Sequence, residues 1–296
     1  MRADDWHLTG DLDDFLTRAG DFLRSRPALH NTALTDLEKL RAGLTPAQGG
    51  TDAPLFGVLE TEGGPRAACY RTPRGRLGLT PLSGEQAAAL AARLAGLGHL
   101  PAQVIADHET ATAFAEAWRR RTGAAPVPFW RTHLYRLGTL TPPRPAPEGR
   151  GRVAGEGDRG HVVRWCREFC VDVREQASID AIDAGSFAGT RFGDKHFTYW
   201  ESPDGLPVSM AGSTTMVGGM VRVDPVYTPA ALRGRGYAGA VTAEVSSAAL
   251  AAGATDVVLY ADPANPTSNA LYQRLGYVRI ADFTGYAFSY DAPMGL

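Results

Sequence analysis

A mixed α/β fold, with helices flanking a sheet, is what the 296-residue sequence predicts. Three observations carry that expectation. Short apolar or alternating runs, such as 196–201 and 256–261, have the length and period of strands. Between them lie Ala-rich or amphipathic stretches with helical spacing. The segment 221–238 reads as a strand running through an Arg/Gly-rich loop into a long helix. At 44% hydrophobic and 21% charged residues the composition is that of a globular protein. A net charge of −2 gives no electrostatic reason to expect nucleic acid or a membrane surface as partner. No stretch approaches the ~18 apolar residues of a membrane span, and no signal-like run opens the chain.

In the first half, residues 11–25 are expected as a helix, with Phe15, Leu16, Ala19, Phe22 and Leu23 on one face. A second helix covers 34–42. Strands follow at 54–60 and 67–72 around the Gly63-Gly64 turn. Helices are expected at 84–97 and 108–121, with a strand around Val104-Ile105 between them and another at 132–137. Residues 141–147, TPPRPAP, hold four prolines in seven and cannot keep regular structure. The expected division is therefore a domain at 1–140, a semi-rigid linker at 141–149 and a domain at 150–296.

After the linker, a strand is expected at 151–154 and helices at 161–175 and 178–190. Strands follow at 196–201, 207–211 and 216–228, with Pro203-Asp204-Gly205 as a turn. Beyond the Ala-rich helix, 256–261 is a short buried strand. Asn265 as N-cap, Pro266 at the first helical position and Gly276 as stop then bound a helix at 266–275. Strands at 278–280 and 287–290 close the chain. The three cysteines, Cys69, Cys166 and Cys170, are too few and odd in number for a disulfide framework and read as core in a reducing cytoplasm.

Two motifs carry chemistry. Arg233-Gly234-Arg235-Gly236-Tyr237-Ala238 fits [Q/R]-x-x-G-x-[G/A] at a strand-to-helix turn. Backbone N–H groups in such a loop, with the positive end of the helix behind them, make a site for a phosphate or pyrophosphate. Some thirty residues on, N-x-x-S-x-x-x-Y-x-x-x-G-Y begins at Asn265 and places Tyr272 inside the short helix.

Strand, R-x-x-G-x-A loop, helix, strand and N-x-x-[AS]-x-x-x-Y-x-x-x-G-[FY], in that order, resemble the GCN5-related N-acetyltransferases across roughly residues 150–290. The resemblance implies a mixed, mostly antiparallel sheet with a V-shaped splay, and two such domains in tandem. It implies acetyl-CoA as co-substrate, no metal, and direct attack of an amine on the thioester. By the same resemblance the N–H groups of Arg233 to Ala238 hold the pyrophosphate, and the strand Val226, Tyr227, Thr228 pairs with pantetheine. Asn265, and Asn269 one turn on, face the cofactor, while Tyr272 is the general acid. Asp224, two and four residues from Val226 and Thr228, is the first candidate base, Glu201 the second and His196 the third.

Tyr199, Trp200, Tyr227 and Trp165 are candidates for an acceptor pocket. The first half follows the family only in outline: residues 79–86, LTPLSGEQ, stand where the pyrophosphate loop would be and lack its spacing, so this copy reads as degenerate. The expected function is acetyl transfer to the amine of a small molecule. A protein lysine or N-terminal amine as acceptor, and a non-catalytic acyl-CoA-binding module, are the alternatives. The oligomeric state stays open, a homodimer included.

Overall fold

The computed structural model describes residues 6–43, 54–71 and 75–290. The chain packs as two units, Met1–Leu134 with Ile280–Leu296, and Tyr135–Arg279. The proline-rich segment 141–149 lies inside the second unit, and the closing segment of the chain belongs to the first.

Elements of the first unit are β1 (Trp6–Thr9), α1 (Leu12–Arg24), α2 (Asn31–Arg41), β2 (Leu55–Thr61), β3 (Gly64–Arg71), β4 (Arg76–Leu79), α3 (Gly84–Gly96), β5 (Gln103–Asp107), α4 (His108–Thr122) and β6 (Ala125–Leu137). Those of the second are β7 (Arg150–Val153), α5 (Arg159–Val173), α6 (Gln176–Asp183), β8 (His196–Glu201), β9 (Pro207–Ser213), β10 (Met220–Tyr227), α7 (Tyr237–Ala251), β11 (Asp256–Ala261), α8 (Pro266–Arg274) and the start of β12 (Tyr277–Ser289). The division between units falls within β6 and within β12.

In the first unit β1, β2, β3 and β4 pair antiparallel in sequence order, β4 pairs parallel with β5, and β5 antiparallel with β12 through Phe283–Ala287. The expected helix at 11–25 is α1: the Asp11 carboxylate accepts from the N–H groups of Asp13 and Asp14, and Phe15, Ala19 and Leu23 are buried. Leu90, Phe114 and Trp118 anchor the core on the helices, with Phe288 from β12. The last residue of the strand expected at 67–72 lies outside the described residues.

Three boundaries differ from the sequence reading for identifiable reasons. β6 begins seven residues before the expected Thr132. Pro126 and Pro128 stand two apart within it, so both missing donors fall on one edge of the strand. β12 is one 13-residue strand rather than two short ones. The glycine between those two, Gly285, is where a Cβ would come within 2.7 Å of the Phe129 ring. α6 stops at Asp183, well short of 190, because Gly185 takes φ +75°.

The second unit is a mixed, mostly antiparallel sheet: β7, β8, β9 and β10 pair antiparallel in order, and β10 pairs parallel with β11. One face is covered by α7 and α8 over Val221, Val223, Val241, Leu259, Tyr272 and Leu275. The other is covered by α5 and α6 over Trp165, Cys166, Cys170, Phe192, Tyr199 and Tyr227. All three cysteines are free and buried. No helix among the described residues is long and apolar enough to cross a membrane.

Candidate active site in the second unit

The Arg/Gly loop follows a 3-10 turn at Ala230–Leu232 and delivers the chain to α7. Gly234 and Gly236 sit at φ +77° and +83°, where an L side chain is strained. Gly236 is the N-cap of α7 and supplies no capping side chain, and the first turn holds no acidic residue. The first helical hydrogen bond is donated by Ala240 to the Gly236 carbonyl, at 3.1 Å. Ahead of it, the N–H groups of residues 234–239 meet no acceptor among the described residues. Residues 233–236 are exposed. These unsatisfied donors at the positive end of a 15-residue helix fit a pyrophosphate. The Arg233 side chain turns away from them. It donates to the Thr228 carbonyl at 2.9 Å and pairs with Asp172, which staples the loop to α5.

Beside the loop the sheet opens. Pairing of β10 with β11 runs from Met220 to Arg222 and ends there. Beyond it β10 stays with β9, with a register shift between Val223 and Val226 and a cis Asp224–Pro225 peptide. The edge of β10 that leaves β11 carries Val226 and Tyr227 and leads to Thr228, the segment read as the pantetheine strand. The bulge corrects one expectation. Strict alternation puts Asp224 on the face of Val226 and Thr228, whereas Val226 packs on the α7 side and Asp224 pairs with groups on the α5 side. Tyr227 takes the α5 side too, donating its hydroxyl to Glu168 at 2.8 Å. The Thr228 hydroxyl bonds Ser209 at 2.8 Å.

In α8 the Asn265 side chain accepts from the Ser268 N–H at 3.0 Å, as an N-cap should. The Asn269 amide is committed elsewhere: it donates to the carbonyls of Asp262 and Asn265 at 2.7 Å each and accepts from the Tyr135 hydroxyl at 2.9 Å. Both its donors are used, so Asn269 holds the β11–α8 turn and has no N–H left for a cofactor. Tyr272 is 8% exposed, between the rings of Tyr135 and Tyr277 at centroid distances of 6.5 and 6.1 Å. Its hydroxyl has no hydrogen-bond partner among the described residues. Burial pushes the Tyr272 phenol above its ordinary value, with Tyr277 and the charge of Asp224 adding to the rise.

Asp224 is ion-paired with Arg191 and Lys195, and Arg191 reaches on to Glu175 at 2.9 Å. Burial alone would raise the Asp224 carboxyl, but Arg191 and Lys195 outweigh it and hold it far below the usual carboxylate range. The Lys195 side chain is 1% exposed, and burial lowers its ammonium to about 8 against the pull of Asp224. Nothing in the sequence pattern singles out Arg191 or Lys195, which lie 33 and 29 residues from Asp224. Glu201, the second carboxylate, is buried beneath Arg152 and has Arg150 at 3.6 Å. His196 is exposed, with Thr215 at 3.4 Å.

Of the four aromatics considered for an acceptor pocket, Trp165, Tyr199 and Tyr227 cluster on the α5 side, joined by His161. Trp200 packs on the opposite face and donates to the Glu148 carbonyl at 3.2 Å. Tyr199 Oη and His161 Nε2 are buried without hydrogen-bond partners.

The corresponding turn of the first unit is built otherwise. Ser83 caps α3, accepting from Gln86 N–H at 3.2 Å, while the Gln86 side chain accepts from Ser83 N–H at 2.9 Å. This capping box gives side-chain acceptors to the N–H groups of Ser83 and Gln86, where the cap residue of the second unit brings no side chain.

Comparison with known proteins agrees with this geometry. Residues 214–285 match the model of the family described as FR47-like protein. No curated protein matches the chain. Among solved structures, a GCN5-related N-acetyltransferase from Sphaerobacter thermophilus superposes with a TM-score of 0.56 at 15% identity, covering 98% of each chain. One from Kribbella flavida gives 0.51 at 17% identity, over 87% of this chain and 94% of the other. A tandem GNAT protein from the clavulanic acid biosynthesis pathway gives 0.54 at 15% identity, over 98% of this chain and 100% of its own. At such identities the structures speak to the fold, while the matched segment spans the splayed strand, the loop and the Tyr272 helix. Residues 214–285 thus match the FR47-like family model, and the chain as a whole has the fold of solved GCN5-related N-acetyltransferases.

Proposed function

We propose that the second unit transfers an acetyl group from acetyl-CoA to the amine of a small molecule by direct attack in a ternary complex. The observation that carries this reading is the run of unaccepted N–H groups at residues 234–239 beside a strand edge that has left its partner, with the Tyr272 helix packed against Gly239 through Leu271. Residues 234–238 and the free edge of Val226–Thr228 would hold the co-substrate, which supplies an activated acyl thioester. Asn265 would stand at the rim of that site, and Asn269 would fix the turn behind it.

Tyr272 acts as general acid in this reading. A pKa above the ordinary value keeps the phenol protonated at neutral pH, so the proton is always present. Its Oη gives that proton to the departing sulfur, whose own basicity rises in the same desolvated site. Asp224 is the ionised centre of a paired cluster, and the low pKa that Arg191 and Lys195 impose makes it a weak proton acceptor. We assign it a positioning role, fixing the bulge that parts β10 from β11. Glu201, tied to Arg152, is likewise placed for structure, so the acceptor's proton leaves through water rather than through either carboxylate.

A small acceptor is supported by the enclosed aromatic cluster of His161, Trp165, Tyr199 and Tyr227, with its two unpartnered polar atoms. The first unit is proposed as a non-binding copy, since its turn is capped by its own side chains.

The test is thiol release from acetyl-CoA against a panel of small amines and basic peptides, with Tyr272→Phe alongside. Release that depends on one small amine and falls on the order of 10²-fold in the variant, with acetyl-CoA binding within a few-fold, is the expected result. Unchanged turnover in the variant would remove Tyr272 from the mechanism, and release only with peptides would move the acceptor to protein amines.

A further inference from the structure

The proline-rich segment 141–149, expected as a linker, is strapped across the first turn of α7 within the second unit. Thr141 donates to the Leu275 carbonyl just past α8, at 2.9 Å. At the other end the Glu148 carbonyl accepts from Trp200 Nε1 at 3.2 Å. Between these anchors Pro143 lies so close to Gly239 that a Cβ there would stand 3.3 Å from the proline ring. Pro147 takes the same place beside Gly236, at 3.8 Å from a Cβ built there. Both glycines belong to the run 234–239 whose N–H groups have no acceptor among the described residues. Arg144, flanked by these two contacts, is exposed and has no ion-pair or hydrogen-bond partner among the described residues.

From this juxtaposition we propose that the strap is one wall of the acyl-CoA site and that Arg144 binds a phosphate of the co-substrate. The inference rests on the reading of residues 234–239 as the pyrophosphate loop. Four prolines fix the strap's backbone, so Arg144 is presented without the entropic cost of ordering a mobile loop. Arg233 is neutralised by Asp172, leaving Arg235, which bonds only the Ala231 carbonyl at 3.3 Å, as the loop's own free charge. A planar guanidinium also matches phosphate in two-pronged fashion.

The experiment is calorimetric binding of CoA and of dephospho-CoA, which lacks the 3′-phosphate, to the full chain and to Arg144→Ala and Arg144→Lys. An exposed arginine is replaced without disturbing the core, and near-identical circular dichroism and melting of the variants check this. CoA binding is expected to weaken about 5- to 20-fold in Arg144→Ala, with most of it kept in Arg144→Lys and the difference shrinking as salt is raised. A loss seen with CoA but not dephospho-CoA assigns Arg144 to the 3′-phosphate, and an equal loss with both assigns it to the pyrophosphate. Equal binding of CoA by wild type and Arg144→Ala would overturn the role of the strap while leaving the loop intact. Failure of the wild type itself to bind CoA would overturn the parent reading instead.

Discussion

Asp224→Asn separates a structural anion from a catalytic base, and the cluster around it sets the size of the effect. The substitution keeps shape and one acceptor oxygen but removes the charge that faces Arg191 and Lys195. Arg191 is partly hydrated and retains Glu175 at 2.9 Å, so it is not orphaned. Lys195 is 1% exposed and pairs with no second carboxylate among the described residues, so it becomes an uncompensated buried charge. Removing one partner of such a pair costs about 3 kcal/mol, the low end of the usual range because the amide oxygen remains. The assay is urea unfolding followed by tryptophan fluorescence, where that loss is several standard errors.

The pH dependence has a definite sign. The Asp224 pKa is depressed in the folded state, so its contribution is present above the unfolded carboxylate value of about 4 and is lost only as pH falls below it. The gap between wild type and variant therefore closes on acidification, and it also narrows on the alkaline side where the variant's Lys195 has lost its proton and that of the wild type has not. Lys195 already titrates near 8 with Asp224 in place, below the unfolded lysine, so wild-type stability rises with pH between those two values. Without Asp224 the lysine pKa drops further, and the rise in the variant begins at lower pH. Adding Lys195→Met to Asp224→Asn is expected to restore at least half the loss. A single variant within about 0.5 kcal/mol of wild type, or a double variant no better than the single, refutes the reasoning.

Two further substitutions probe the loop and its supports. Gly236→Asp puts a carboxylate onto the donors read as the pyrophosphate site, and acetyl-CoA binding measured by calorimetry should weaken on the order of 10²-fold, with melting lowered by the strain of a side chain at φ +83° and the protein still folded at the assay temperature; binding at wild-type affinity would show that the donors serve something else. Gly276→Ala asks for a Cβ 1.9 Å from the Thr139 carbonyl at φ +96°, so the second unit should lose at least about 2 kcal/mol in urea unfolding, and an unchanged midpoint would contradict the local geometry.

How far the sequence reached depends on the range of the interactions involved. The cap at Asn265, the stop at Gly276 and the glycines of the loop are local devices, set by φ preference and by donors within a turn, and they stand where the pattern put them. Asp224 shows where a local rule stops. Alternation assigned it a face, but one extra residue in β10 reverses the assignment, and only the pairing with β9 reveals that residue. Its partners Arg191 and Lys195 come from a loop that no periodicity distinguishes. The lengths of β6 and β12 are hidden for a related reason: Pro126, Pro128 and Gly285 have low strand propensity, yet each sits in a long strand at a position that tolerates a missing donor or needs a missing Cβ. The segment 141–149 has the composition of a connector, and composition says nothing about what its prolines lie against.

The two strand-to-helix turns differ in how they cap their helices. A helix start always leaves several N–H donors without carbonyl partners, and these donors must be satisfied by side chains, water or something bound. In the first unit Ser83 and Gln86 bond each other's backbone N–H groups, and the Leu82 N–H finds the Thr110 hydroxyl at 2.9 Å. At that turn only Gly84 and Glu85 keep N–H groups that meet no acceptor among the described residues, and an arriving anion would find side chains already bonded beside them. In the second unit Gly236 brings no side chain to the cap, no acid follows in the first turn, and two left-handed glycines turn the donors outward. A serine cap at this point would typically stabilise the helix by about 1 kcal/mol, and the chain forgoes it. What is lost locally is available to an anion, and the same glycines that remove the cap also remove the side chains that would keep the anion away. The proposed binding of co-substrate by the second unit and not the first therefore reduces to one local difference, whether the capping group belongs to the chain.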